Sequence, residues 1–226
     1  MVEKIILYLS QFIALLLVLP IHEFAHAFAA VKSGDVTPKL YNRYTLNPLA
    51  HFDTVGLLCF LFVGFGWAKP VPVNPYNFKK YKQGCFWVSI AGVLSNLLTA
   101  FIVYPLSVLS FNYLPDIGLF DDVISYALLF IFSFSLSFCV FNLLPIYPLD
   151  GFRVLDVFTT KRGKAYWFLK TKGIYVLYGL FALGLIADMT GLYQIDLLGN
   201  LMRVVVGFLS TPISLFWDGL ILPLFI

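Results

Sequence analysis

Residues 5–31 read IILYLSQFIALLLVLPIHEFAHAFAAV. The one formally charged side chain in that run is Glu23, set between His22 and His26. So long and apolar a stretch suits a helix that crosses a bilayer, whose hydrocarbon core takes about 20 residues at the helical rise. No small-residue cleavage site follows it, so it is expected to be a retained membrane helix and not a cleaved leader. Gly34 and Asp35 then end it.

Composition extends this reading to the whole chain. Of 226 residues, 60% are hydrophobic and 12% charged, where soluble domains carry about 25% charged residues. Mean hydropathy is +0.88. A water-soluble fold could not hide that much apolar surface, so the lipid bilayer is the solvent for much of it. A net charge of +3 is too small to imply nucleic acid as a partner. Cys59, Cys85 and Cys139 are odd in number and set in apolar runs, which suits buried free thiols.

Residues 85–110, 123–144 and 173–187 are predicted spans, and 204–226 a further one bent near Pro212. Residues 55–67 are apolar but short for a span and are expected to re-enter or lie obliquely. Residues 68–84 are proline-rich and read as extended and turn-rich; Val36 to Leu46 could form short strands. The fold class is therefore a polytopic α-helical membrane protein of about five to six membrane segments, with a small cytoplasmic-side β element or a re-entrant region. Residues 1–226 are expected to form a single domain, with no repeat and no appended soluble module.

Charge gives the orientation. Of 15 Lys and Arg, 13 fall in 32–43, 69–82 and 153–172. The connections 111–122 and 188–202 carry none, only Asp116, Asp121, Asp122, Asp188 and Asp196. The positive-inside rule puts the basic regions in the cytoplasm and the N-terminus outside, provided that 55–67 does not cross.

His22-Glu23-Phe24-Ala25-His26 is the HExxH pattern. On a helix, side chains four apart share a face, so both imidazoles can reach one metal ion, and Glu23 lies where a carboxylate can take a proton from activated water. Shuffling three His and two Glu through this composition gives the pattern roughly two times in ten thousand. Zinc suits imidazole ligands and makes water acidic enough to attack at neutral pH. Ionisable groups inside a membrane are costly, which argues for function over a pair of core histidines. His26 lies six residues before Lys32, about 9 Å along a helix, so the site should sit in the bilayer near its cytoplasmic face. Asp150 closes the 123–144 span at the same end and is the candidate third ligand; an Asp before Gly151 is also a common turn or helix cap.

Asn47-Pro-Leu-Ala-His51, Pro72-Val-Asn74, Ala91-Gly-x-x-x-Asn96 and Asn142-x-x-Pro-x-x-Pro-Leu-Asp150-Gly151 accompany HExxH. With these motifs, which span most of residues 20–155, the chain resembles the site-2 protease family of intramembrane zinc metalloproteases, in a minimal form without a PDZ or nucleotide-binding module. The resemblance implies one zinc ion per chain held by His22, His26 and Asp150, with Glu23 as general base. It implies that Asn142 holds substrate or the developing oxyanion, and that Asn47 and His51 lie near bound substrate. His51 could orient substrate, tune the metal or cap a turn, and Asn96 reads more simply as a helix-packing residue. The implied partner is a transmembrane protein or peptide, such as an anti-sigma factor or a remnant signal peptide, cut in the cell membrane near the cytoplasmic face. Family members also carry a small sheet near the active site, so an exposed strand edge in 36–46 or 68–78 could hold substrate extended; an ordinary loop is the alternative. Two other readings use the same residues: a non-catalytic scaffold that binds transmembrane helices, and a metal or proton transporter.

Overall fold

The structure, a computed structural model, describes residues 2–63, 66–115 and 118–221. Asp116, residues 64 and 65 of the short apolar segment and residues 222–226 of the last expected span lie outside that description. The helices are α1 (Val2–Ser33), α2 (Thr37–Leu40), α3 (Pro48–His51), α4 (Thr54–Val63), α5 (Tyr81–Tyr113), α6 (Leu119–Leu143), α7 (Asp150–Phe158), α8 (Lys164–Thr190) and α9 (Leu197–Ile221). Five of them, α1, α5, α6, α8 and α9, are long and apolar enough to cross a membrane. The chain is thus a polytopic helical membrane protein. α4, with 10 residues, is too short to span a core that takes about 20.

The β expectation needs correction. No sheet forms among the described residues; Phe52 and Ala68 make one isolated antiparallel bridge. Where strands were expected between Val36 and Leu46, α2 forms instead. Pro38 lies in its first turn, where a fixed φ and a missing N–H suit helix initiation and disqualify a sheet interior. Asn42 then takes a left-handed conformation, φ 54°, which no strand tolerates. Residues 69–74 form neither helix nor strand, Asn74 is extended (φ −108°, ψ 101°), and a single 3-10 turn follows at Pro75–Asn77.

The chain divides into two compact units, Met1–Ser135 and Leu136–Ile226. In the first, α1 lies against α5. Small side chains make this close approach possible: Ala14, Ala27, Ala29 and Ala30 on α1, Gly84, Ser89, Gly92 and Ala100 on α5, all buried. Packing through small residues is how helices associate in lipid, where no hydrophobic drive brings them together. α6 joins them through the buried Ser10 hydroxyl, which donates to Val123 O at 3.1 Å, and through Tyr104–Phe132 and Phe111–Tyr126 ring pairs.

Gly34 ends α1 with φ +114°, a conformation that favours glycine. Asp35 follows and is fully buried. Thr37 N–H and Oγ1 donate to its Oδ1 at 3.0 and 2.5 Å, Asn77 Nδ2 donates to the same oxygen at 2.8 Å, and Asn74 N–H donates to Oδ2 at 2.7 Å. One carboxylate thus clamps the 74–77 segment to the end of α1. Burial alone would raise its pKa, but these donors outweigh it and hold the carboxyl below its ordinary value.

In the second unit, α8 lies against α9. Tight turns join α6 to α7, with Leu144 N–H bonded to Phe141 O and Leu149 N–H to Ile146 O. Gly173 of α8 packs against this loop; a Cβ there would meet Tyr147 O at 2.6 Å.

Candidate metal centre

α1 continues unbroken through His22, Glu23 and His26, so the i, i+4 relation brings both imidazoles to one face. Both are buried, each with 5% exposure. Their Nε2 atoms converge to 3.0 Å. Two nitrogens bound to one zinc at about 2.05 Å with tetrahedral angles would stand about 3.3 Å apart, so the pair is close to chelating geometry. The remote ring nitrogens are both held. His26 Nδ1 lies 2.6 Å from Val88 O and His22 Nδ1 3.0 Å from the Asn96 amide, both partners on α5. A carbonyl only accepts, so His26 carries its proton on Nδ1 and turns the Nε2 lone pair toward His22. Glu23 is half-buried, and its Oε2 accepts from Val71 N–H at 3.2 Å. The 69–74 segment is therefore tied at Val71 to the HExxH carboxylate.

α5 can close on the imidazoles because residue 92 is glycine. A Cβ there would lie 2.5 Å from His22 Cε1 and 2.5 Å from His26 Nε2. Sequence reasoning gave Gly92 no role and left Asn96 to helix packing. The nearest signal was their joint occurrence in Ala91-Gly-x-x-x-Asn96, one helical turn apart.

Asp150 is the first residue of α7 and is buried. It does not act as the N-cap, which is Leu149; a carboxylate in a first helical turn is favoured by the backbone dipole. Arg153 Nη1 stands 3.7 Å from its Oδ1, one turn on. Gly151 lets α7 start against the end of α6, since a Cβ there would meet Leu143 O at 2.2 Å. His22 and His26 in the first unit and Asp150 in the second are thus buried side chains of types suited to a metal ion.

The remaining expected residues make hydrogen bonds within their own elements and loops. Asn142 is half-buried near the end of α6, and its Nδ2 donates to Phe138 O of its own helix at 3.1 Å. Asn47 caps α3, accepting from Leu49 N–H at 3.1 Å, and is exposed. His51 is fully buried; its Nε2 bonds Thr45 O at 2.8 Å and its carbonyl accepts from Lys69 N–H at 2.7 Å. It joins the 45–51 loop to the start of the 69–74 segment. Arg43, also buried, donates to Ala50 O within the same loop.

Residues 116–186 match the profile of Peptidase family M50, a stretch that includes Asn142 and Asp150. A Bacillus subtilis (strain 168) protein named "Putative zinc metalloprotease YwhC" is 42% identical over 145 residues, 64% of this chain and 66% of the relative. Both similarities support the M50 peptidases, the site-2 protease family, over these stretches. The alignment spans just under two thirds of the relative's length. No solved structure matches the chain. The HExxH pair, buried on a membrane-length helix, lies outside the stretch that matches the family profile.

Proposed function

We propose that this protein is an intramembrane zinc metalloprotease of the M50 type that hydrolyses peptide bonds of transmembrane substrates near the cytoplasmic face of the cell membrane. The observation that carries the reading is the buried His22–His26 pair, with Nε2 atoms converging at 3.0 Å and Glu23 between them in sequence. A donor set of two imidazoles and a carboxylate suits zinc, so His22, His26 and Asp150 would hold one ion. When bound, zinc supplies Lewis acidity that polarises a peptide carbonyl and acidifies water. Glu23 takes the proton from the attacking water and passes it to the leaving amine. The Val71 N–H bond holds that carboxylate in one orientation. Asn142 Nδ2, released from Phe138 O, would donate to the developing oxyanion.

Substrate handling has two supports. A groove of about 630 Å3 lined by Phe24, Ala25, Phe28, Trp87, Ala91 and Leu94, among others, follows α1 and α5, and its apolar lining suits a peptide arriving through lipid. The non-helical 69–74 backbone offers a place for an unwound peptide, beside which Asn47 and His51 would act on the loop that carries them. Single-span regulators such as anti-sigma factors, or remnant signal peptides, are substrates of the right form.

The test is zinc content of the detergent-purified protein by atomic emission, alongside His22→Ala and Asp150→Ala. About one zinc per chain, lost in both variants, is the outcome expected for a three-ligand site. A folded preparation, handled without chelators, that holds no zinc would remove the basis for catalysis.

A further inference from the structure

We propose that Asn96 is a positioning residue for the metal centre, its side-chain amide turning over to suit whichever tautomer His22 adopts as metal binds or leaves. The inference rests on the zinc reading above and adds a residue outside the ligand set.

Asn96 is fully buried in α5, and its amide lies 3.0 Å from His22 Nδ1. In the metal-free arrangement the proton positions form one consistent chain. His26 Nδ1–H donates to Val88 O, which leaves His26 Nε2 as an acceptor. With both imidazoles neutral, His22 Nε2, 3.0 Å away, is the donor of that pair. With its proton on Nε2, His22 presents Nδ1 as an acceptor, and Asn96 Nδ2 donates to it. In this orientation Asn96 Oδ1 is buried with no hydrogen-bond partner among the described residues.

Zinc demands the other tautomer. The His22 Nε2 lone pair is then needed for the metal, so the proton moves to Nδ1. Nδ1–H cannot face an NH2 group. A half-turn of the amide brings Oδ1 to the same place, where it accepts the Nδ1 proton, as remote ring nitrogens of metal-bound histidines require. Heavy-atom positions are nearly the same for both amide orientations, so the exchange needs no movement of the helix. Neither state changes the charge of the imidazole. An amide is the side chain that serves both: a carboxylate serves the loaded state, a hydrocarbon neither. Gly92, one turn earlier on α5, keeps the backbone close enough for Asn96 to reach the ring.

Zinc affinity of the apo-protein in detergent, measured by competition with a chromophoric chelator, tests this with Asn96→Leu and Asn96→Asp. Asn96→Leu should weaken zinc binding by about ten- to a hundredfold. Asn96→Asp, which can accept the Nδ1 proton, should hold zinc to within a few-fold of the wild type. The cobalt-substituted wild type and Asn96→Asp proteins should share a visible ligand-field spectrum that Asn96→Leu alters. Far-UV circular dichroism establishes folding. If Asn96→Leu fails to fold, Asn96→Asp decides alone, and a tenfold or greater loss of affinity there overturns the proposal. A packing role predicts the opposite order, since leucine is welcome in a membrane interior and a buried carboxylate is not. Wild-type affinity in Asn96→Leu, or equal loss in both variants, would therefore refute a positioning role while leaving the zinc reading intact. Absence of zinc binding by the wild type would defeat both.

Discussion

Glu23 is the residue on which the proposed chemistry turns, and its neighbours set its orientation. His22 and His26 converge because the helix repeat puts them there, and each remote nitrogen is then fixed by a group on α5. Glu23 instead faces the 69–74 segment, whose Val71 N–H fixes one oxygen. Glu23→Gln keeps the shape and the hydrogen-bonding capacity but cannot accept the water proton. Turnover should fall by about 10²- to 10⁴-fold, the usual worth of a general base, while zinc content stays at the wild-type level. Cleavage of a reconstituted transmembrane substrate together with zinc analysis reads both, and retained turnover would contradict the role.

At the scale of elements, the clamp at Asp35 decides where the 74–77 segment docks. Four donors converge on a fully buried carboxylate. Asp35→Asn replaces an ionised acceptor with a group that also donates, leaving donors facing donors. A loss of about 2 kcal/mol or more is expected, as for hydrogen bonds to a buried charge. Because the folded pKa lies below the unfolded one, Asp35 stabilises fully above about pH 4, the unfolded carboxyl value. That stabilisation is lost as pH falls through the folded value. Thermal unfolding in detergent from pH 6 to pH 3 should show an acid-side decline in the wild type that is shallower in Asp35→Asn. Equal slopes would show that the carboxylate is not the group responsible. The same element-scale logic explains α2: a sequence reading of Val36–Leu46 as strands underweighted Pro38 and Asn42, whose backbone preferences oppose a strand.

For the whole molecule, membrane orientation is a matter of charge distribution. Under the proposed orientation, five membrane-length helices with α4 too short to cross would alternate from N-out to C-in and keep the basic connections on one side. Lys161 and Asp188 are exposed near opposite ends of α8. In a background lacking Cys59, Cys85 and Cys139, Asp188→Cys should react with a membrane-impermeant maleimide in intact cells, and Lys161→Cys only after lysis. The reverse pattern would invert the topology and move the HExxH end of α1 to the outer face.

The long spans were legible because a membrane helix needs little beyond a continuous apolar run, and Ile5–Val31, 85–110 and 123–144 supply it locally. HExxH was legible for a similar reason, since the spacing of His22 and His26 is itself the helix repeat. The reach of α8, which starts at Lys164 and not near 173, was less so, because Lys164, Lys170 and Lys172 interrupt the apolar run in its first turns. What the sequence left open depends on partners far along the chain. Asn96 and His22 are 74 residues apart, Val88 and His26 62, and Val71 and Glu23 48. A buried asparagine looks the same in a sequence whether it packs a helix or orients an imidazole. The choice falls to tertiary structure, because only the close approach of α5 to α1 at Gly92 brings that amide within hydrogen-bond distance of His22.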